Sequence, residues 1–225
     1  MKRSFLILVL LVSGATQAQA QITYNLNTLN DTRILAVAPN QVAYNDGYLS
    51  VFNQGSNVQR SLLKFDLTGI TNVTAATLTL TVRPELPGNG FQAFAYRLTK
   101  DFTASQASWN SASTGNPWAT PGGDFTGNPG STPYGTTVPA TGKTNFDVTT
   151  LVQQWTSGTF SNFGFLLNSQ VGSQAHFYTH LDQVNQPVLT IQSSTLSTPE
   201  PSSVAILSSL VMTGGVFAVR RRRRK

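Results

Sequence analysis

Apolar and polar positions alternate along this chain in short runs. Thr77-Leu78-Thr79-Leu80-Thr81-Val82 puts Leu78, Leu80 and Val82 on one face of an extended segment. Leu63, Phe65 and Leu67 alternate with Lys64 and Asp66, and Phe94, Tyr96 and Leu98 with Ala95 and Arg97. Three later runs are Phe163-Gly164-Phe165-Leu166-Leu167, His176-Phe177-Tyr178 and Val188-Leu189-Thr190-Ile191. Gly, Asn and Pro clusters separate them, which predicts an all-β, antiparallel sandwich. One segment breaks the period: in Val148 to Trp155, Leu151, Val152 and Trp155 recur at helical spacing, with Asp147 where an N-cap belongs.

Asp101 to Asn145 shows neither period. It is rich in Gly, Pro, Ser and Thr and carries Trp109, Trp118 and Tyr134. A structureless loop of that length is uncommon in a compact domain. The expectation is irregular structure with a short strand or two, packed across one end or face of the sandwich.

The two ends follow other rules. Lys2 and Arg3 precede an apolar run from Phe5 to Val12, and small and polar residues lead to Ala18-Gln19-Ala20. A short basic region, an apolar stretch too short to span a bilayer and an A-x-A exit describe a signal peptide over residues 1–20. At the other end, residues 193–198 form a polar linker to Pro199-Glu200-Pro201, followed by an apolar stretch from Val204 to Val219. That stretch is slightly shorter than the ~17–25 residues of a usual spanning helix and suits a thin or compressed membrane. Arg220, Arg221, Arg222, Arg223, Arg224 and Lys225 would hold the cytoplasmic side.

Pro199-Glu200-Pro201, the apolar helix and the arginine cluster, in that order over residues 199–225, resemble the PEP-CTERM sorting signal of Gram-negative bacteria. The resemblance implies processing near Pro-Glu-Pro by a membrane-embedded exosortase, with the membrane a partner through the C-terminal helix until then. It also implies export through the inner membrane to the cell surface, in organisms that make extracellular polysaccharide.

Setting the ends aside changes the meaning of the charge. The whole chain carries +6, but residues 21–198 hold seven basic and eight acidic side chains, a net −1. A domain without excess positive charge lacks the electrostatic footprint of a nucleic-acid binder, so nucleic acid is not an expected partner. No cysteine is present, which excludes disulfides, zinc-thiolate sites and thiol nucleophiles.

A second resemblance runs through residues 21–192. Asn45-Asp46-Gly47 with Tyr48-Leu49-Ser50-Val51, then Arg60 to Leu67, are similar to the opening of DNRLRE domains. Ala75 to Leu80, Asp101-Phe102-Thr103, Ser108-Trp109-Asn110, Trp118, Pro121-Gly122-Gly123-Asp124, Asp147 to Trp155, Asn162 to Leu167 and Pro187-Val188-Leu189 continue the series in order. The resemblance implies a jelly-roll-like β-sandwich of secreted modular proteins, related to a carbohydrate-binding-module family and to archaeal disaggregatase proteins. The chain departs from the pattern at Tyr178-Thr179-His180-Leu181, where a Ser-x-Glu run is usual.

Positive signs of catalysis are lacking. His176 and His180 in a strand would stand roughly 13 Å apart at ~3.3 Å per residue, too far for one ion, and read as surface or satisfied histidines. Gly122-Gly123-Asp124-Phe125 lacks the glutamate of cyclic-dinucleotide synthases. Asp66, Asp101 and Asp147 sit where strands or the helix end, which suits turns and caps. Flat rings suit sugar faces, so Trp118, Tyr134 and Trp109 are the glycan-binding candidates. Asp46 and Asp124, in Gly- and Asn-containing loops, are candidates for a structural calcium ion, and no other cofactor is expected. The expected function is a non-catalytic cell-surface or matrix protein associating with exopolysaccharide or another glycan. The alternatives are a purely structural or adhesive matrix protein and a polysaccharide-cleaving enzyme. An exposed Trp118–Tyr134 platform would favour glycan binding, and a buried aromatic set the structural role.

Overall fold

The computed structural model describes residues 20–28, 30–126 and 134–195. Residues 1–19 of the expected signal peptide and the whole expected sorting segment, 199–225, lie outside the described residues. The described chain is almost entirely β. In order come β1 (Ala20–Asn27), β2 (Asn30–Leu35), β3 (Tyr48–Gln54), β4 (Asn57–Lys64), β5 (Val73–Val82) and β6 (Gln92–Arg97). The short strands β7 (Ser111–Ser113), β8 (Asn116–Pro117) and β9 (Tyr134–Thr137) follow, then β10 (Gly142–Asp147). A single helix, α1 (Thr149–Thr156), precedes β11 (Phe165–Ser169), β12 (Ser173–Tyr178) and β13 (Val188–Thr195).

The strands form two antiparallel layers. In one, β4 takes β2 on one flank and β11 on the other, and the order continues through β6 to β9. In the other, β5 lies between β10 and β13, with β1 beyond β13. Phe177 of β12 meets β5 at Val82, and β12 pairs along its length with β3. The β3–β4 hairpin, turning at Gly55 with a positive φ of 60°, carries the chain from one layer to the other. The result is the sandwich-like all-β fold that the alternation predicts.

Between the layers lies the main core. It is built from alternate residues such as Leu49, Val51, Leu78, Leu80, Val82, Phe146, Phe177, Leu189 and Ile191, closed at one end by Leu151, Val152 and Trp155 of α1. Trp155 packs edge-on against Phe165 at 4.8 Å between centroids. A second core covers the opposite face of the β2-β4-β11-β6 layer. There Ile34, Leu62, Tyr96, Leu98 and Leu166 pack against Phe102, Ala104, Ala107, Ala112 and Trp118. This layer is buried on both faces, so Leu62-Leu63 and Phe165-Leu166-Leu167 are continuous apolar runs, a departure from strict alternation that two-sided burial requires.

Several boundaries differ from the sequence expectation. β4 ends at Lys64, so Phe65 and Leu67 pack from the connection that follows. β11 begins only after Gly164, whose φ of 94° no strand residue adopts and where a Cβ would lie 2.3 Å from the Leu63 carbonyl oxygen. The helix begins one residue later, with Val148 as N-cap. Asp147 instead accepts both the N–H and the hydroxyl of Thr149 through Oδ1. β13 runs to Thr195, past the boundary drawn at 192. Residues 21–194 make one compact unit.

Candidate functional site

Thr99 to Phe125, lying over Arg60, forms a concavity. It is an open groove of about 710 Å³ whose lining includes Arg60, Lys100, Thr99, Thr120, Asp124 and Phe125. The β2–β4 register places Arg60 opposite Ile34, on the face that the second core covers. A guanidinium in that position needs partners, and it finds them in the overlying segment. Its Cζ lies 5.0 Å from the centre of the Trp109 ring and 5.1 Å from that of Phe125, within the range of cation–π attraction. One terminal nitrogen donates to the Gly122 carbonyl at 2.7 Å. Nε is buried without a partner among the described residues. Burial draws the Arg60 pKa below that of a free guanidinium and pushes the neighbouring Tyr96 phenol up.

The rim is shaped by hydrogen bonds within the segment. β7 and β8 form a two-strand hairpin. Gly122 donates to the Trp109 carbonyl at 2.6 Å, and Thr99 donates to that of Asp124 at 2.9 Å. The two oxygens of the Asp124 carboxylate accept the N–H groups of Thr120 and Ala119, both at 2.9 Å. Lys100 donates from Nζ to the Pro117 carbonyl. Gly122-Gly123 is required for packing: φ is 96° and 103°, and an added Cβ would lie 2.6 Å from the Arg60 guanidinium or 2.7 Å from Leu166 Cδ1.

The aromatic candidates separate. Trp118 is 5 % exposed and its indole N–H donates to the Ser108 carbonyl at 2.9 Å, so it anchors the segment and offers no exposed platform. Trp109 is half-buried and stacks on Arg60. Tyr134, on β9, packs against the main core and lines a smaller groove of about 230 Å³ with Arg97 and Phe160. The Trp118 and Tyr134 rings therefore belong to different clusters. The calcium candidates are held by protein donors: Asp46 accepts from Arg33 at 2.6 Å, and Asp124 closes its own loop. Asp66, Asp101 and Asp182 likewise accept from Thr68, Lys64 with Phe102, and Val184 with Asn185. Among the described residues no three metal-ligating side chains gather.

One polar pair was missed from the sequence. Asp31 on β2 is fully buried and meets His180, just past β12, with Oδ1 2.6 Å from Nδ1 and Oδ2 accepting the His180 backbone N–H at 2.9 Å. Burial raises the Asp31 pKa, partly offset by His180. The imidazole stacks on Tyr44 at 4.8 Å. His176 has a separate setting. Its ring lies 4.1 Å from that of Tyr48, tilted by 31°, and burial together with the Arg33 and Arg83 charges lowers its pKa to about 4. Positions 149 residues apart carry no local signal of such a pairing.

Fold and groove define a β-sandwich-like module whose second core supports a polar, aromatic-edged groove. Residues 31–191 match the disaggregatase related repeat domain, and the chain belongs to that family. The match begins in β2 and leaves β1 outside. Comparison with curated proteins gives no match.

Proposed function

We propose that the protein is an exported, non-catalytic surface or matrix module with a jelly-roll-like DNRLRE fold that associates with extracellular polysaccharide. Sorting through Pro199-Glu200-Pro201, the apolar segment and Arg220 to Arg224 by a membrane-embedded exosortase completes the reading. The observation that supports it is the groove over Arg60. Thr99, Thr120, Lys100 and Phe125 line one open concavity. A polyhydroxylated chain offers hydroxyls for such polar groups and C–H faces for such a ring.

The test is affinity electrophoresis of residues 21–195 through gels containing the host's extracellular polysaccharide, with and without added calcium, while reducing ends are assayed in parallel. Retardation reduced by Lys100→Ala and Phe125→Ala, without new reducing ends, supports the reading. Retardation with new reducing ends would establish a polysaccharide-cleaving enzyme instead. A second reading, a structural or adhesive building block without a ligand, is favoured by the burial of Trp118 and is the outcome if nothing retards the domain.

A further inference from the structure

The sheet edges are protected unequally. β9 and β10, at one side of the two layers, lie against each other. β2, the edge beyond β4, is buried from Asp31 to Leu35 and carries Asp31 and Arg33 within that stretch. Inward-pointing charges of that kind oppose the addition of a foreign strand. β1 has no such device. It is eight residues long, Ala20-Gln-Ile-Thr-Tyr-Asn-Leu-Asn27, without a charge or a proline. Tyr24 and Leu26 pack on the main core, while Gln21, Thr23, Asn25 and Asn27 are exposed. One flank is held to β13, where Gln21 donates to Gln192 at 2.7 Å and the Thr190 hydroxyl donates to Asn25 at 2.9 Å. The other flank pairs with nothing among the described residues.

We propose that this free flank of β1 is a self-association surface, to which a second copy of the chain adds its own β1 antiparallel, making β13-β1-β1-β13 one continuous sheet. Symmetry favours this occupant. In a two-fold antiparallel pair, opposed side chains point to the same face, so one residue must lie opposite itself. The even-numbered apolar face, Tyr24 and Leu26, is then continuous across both copies, as is the odd-numbered polar face. Opposed Gln, Thr and Asn side chains carry no repulsion, and the two-fold axis closes the assembly at two copies.

The absence of cysteine makes the test clean, since every introduced thiol is the only one. Residues 21–195 hold both cores and all but the first residue of the described strands, so this unit is used. Sedimentation equilibrium should show the mass rising from one copy toward two with concentration, and Thr23→Lys, at an exposed position, should return it to one copy. Thr23→Cys and Asn25→Cys are then oxidised singly and as a mixture. Disulfide dimers confined to one of the three samples give the symmetry axis at residue 23, 25 or 24. A monomeric mass throughout, or cross-linking no faster than at Ser56→Cys, exposed in the β3–β4 turn four strands from β1 in the sheet order, overturns the proposal.

Discussion

His180 Nδ1 lies 2.6 Å from Oδ1 of Asp31, a carboxylate that solvent does not reach. The same aspartate accepts the His180 backbone N–H, so one buried side chain ties edge strand β2 to the connection between β12 and β13. Breaking such a pair from one side leaves a desolvated charge. His180→Ala is therefore expected to cost about 3 kcal/mol near neutral pH. Without the imidazole, burial holds the Asp31 pKa above its unfolded value of 3.8. Stability is then complete below that value and lost as pH rises through the folded one. Urea titrations at several pH values should show the deficit shrinking in acid; a deficit independent of pH would refute the account.

His176 provides the opposite sign. Its folded pKa of about 4 is below the usual histidine value of 6.5. The folded state therefore disfavours the proton, and the contribution is present above 6.5 and lost as pH falls toward 4. NMR titration of the ring protons should place its midpoint near 4, and His176→Gln should flatten the acid limb of the stability curve. A midpoint near 6.5 would remove the Arg33 and Arg83 charges from the explanation.

Gly123→Ala combines a φ of 103° with a Cβ 2.7 Å from Leu166 Cδ1, whereas Gly90, at φ 81°, has open space around it. The Gly90→Ala substitution should cost about 1 kcal/mol from backbone strain alone. Gly123→Ala should cost roughly 1–3 kcal/mol more from overpacking and should weaken polysaccharide retardation. Equal losses at the two sites would mean that the segment shifts freely over the sheet.

Trp118→Ala empties the centre of the second core and should cost about 3–5 kcal/mol. Trp109→Ala, at the half-buried rim, should cost less but expose the Arg60 guanidinium. Denaturation curves compare the two. Retardation by polysaccharide that survives Trp118→Ala under folding conditions, yet falls with Phe125→Ala, would separate the anchoring ring from the groove.

The alternation in Thr77 to Val82 was legible because one face of β5 packs into the core, and helical spacing in Leu151, Val152 and Trp155 identified α1 for the same reason. Phe163 to Leu167 was harder to delimit. A run buried on both faces has no period, and Gly164 interrupts it through its backbone conformation. The Gly/Pro-rich segment from Asp101 to Asn145 reads as packed irregular structure with a short strand or two; it holds β7, β8, β9 and the first four residues of β10. That Trp118 anchors the segment while Arg60 and Phe125 edge the groove depended on the register of β4 against β2.

Local pattern by itself determined the all-β class, the helix, the absence of thiol chemistry and the near-neutral charge of residues 21–198, because each depends on residue type and on spacing within a few positions. Tertiary structure alone decided the rest. It joined Asp31 to His180, put Arg60 between Trp109 and Phe125, built a second core on an outer sheet face and left β1 with a flank unpaired among the described residues. These are contacts between residues distant along the chain, and strand pairing, which sets them, is a long-range choice among many edges with similar local patterns.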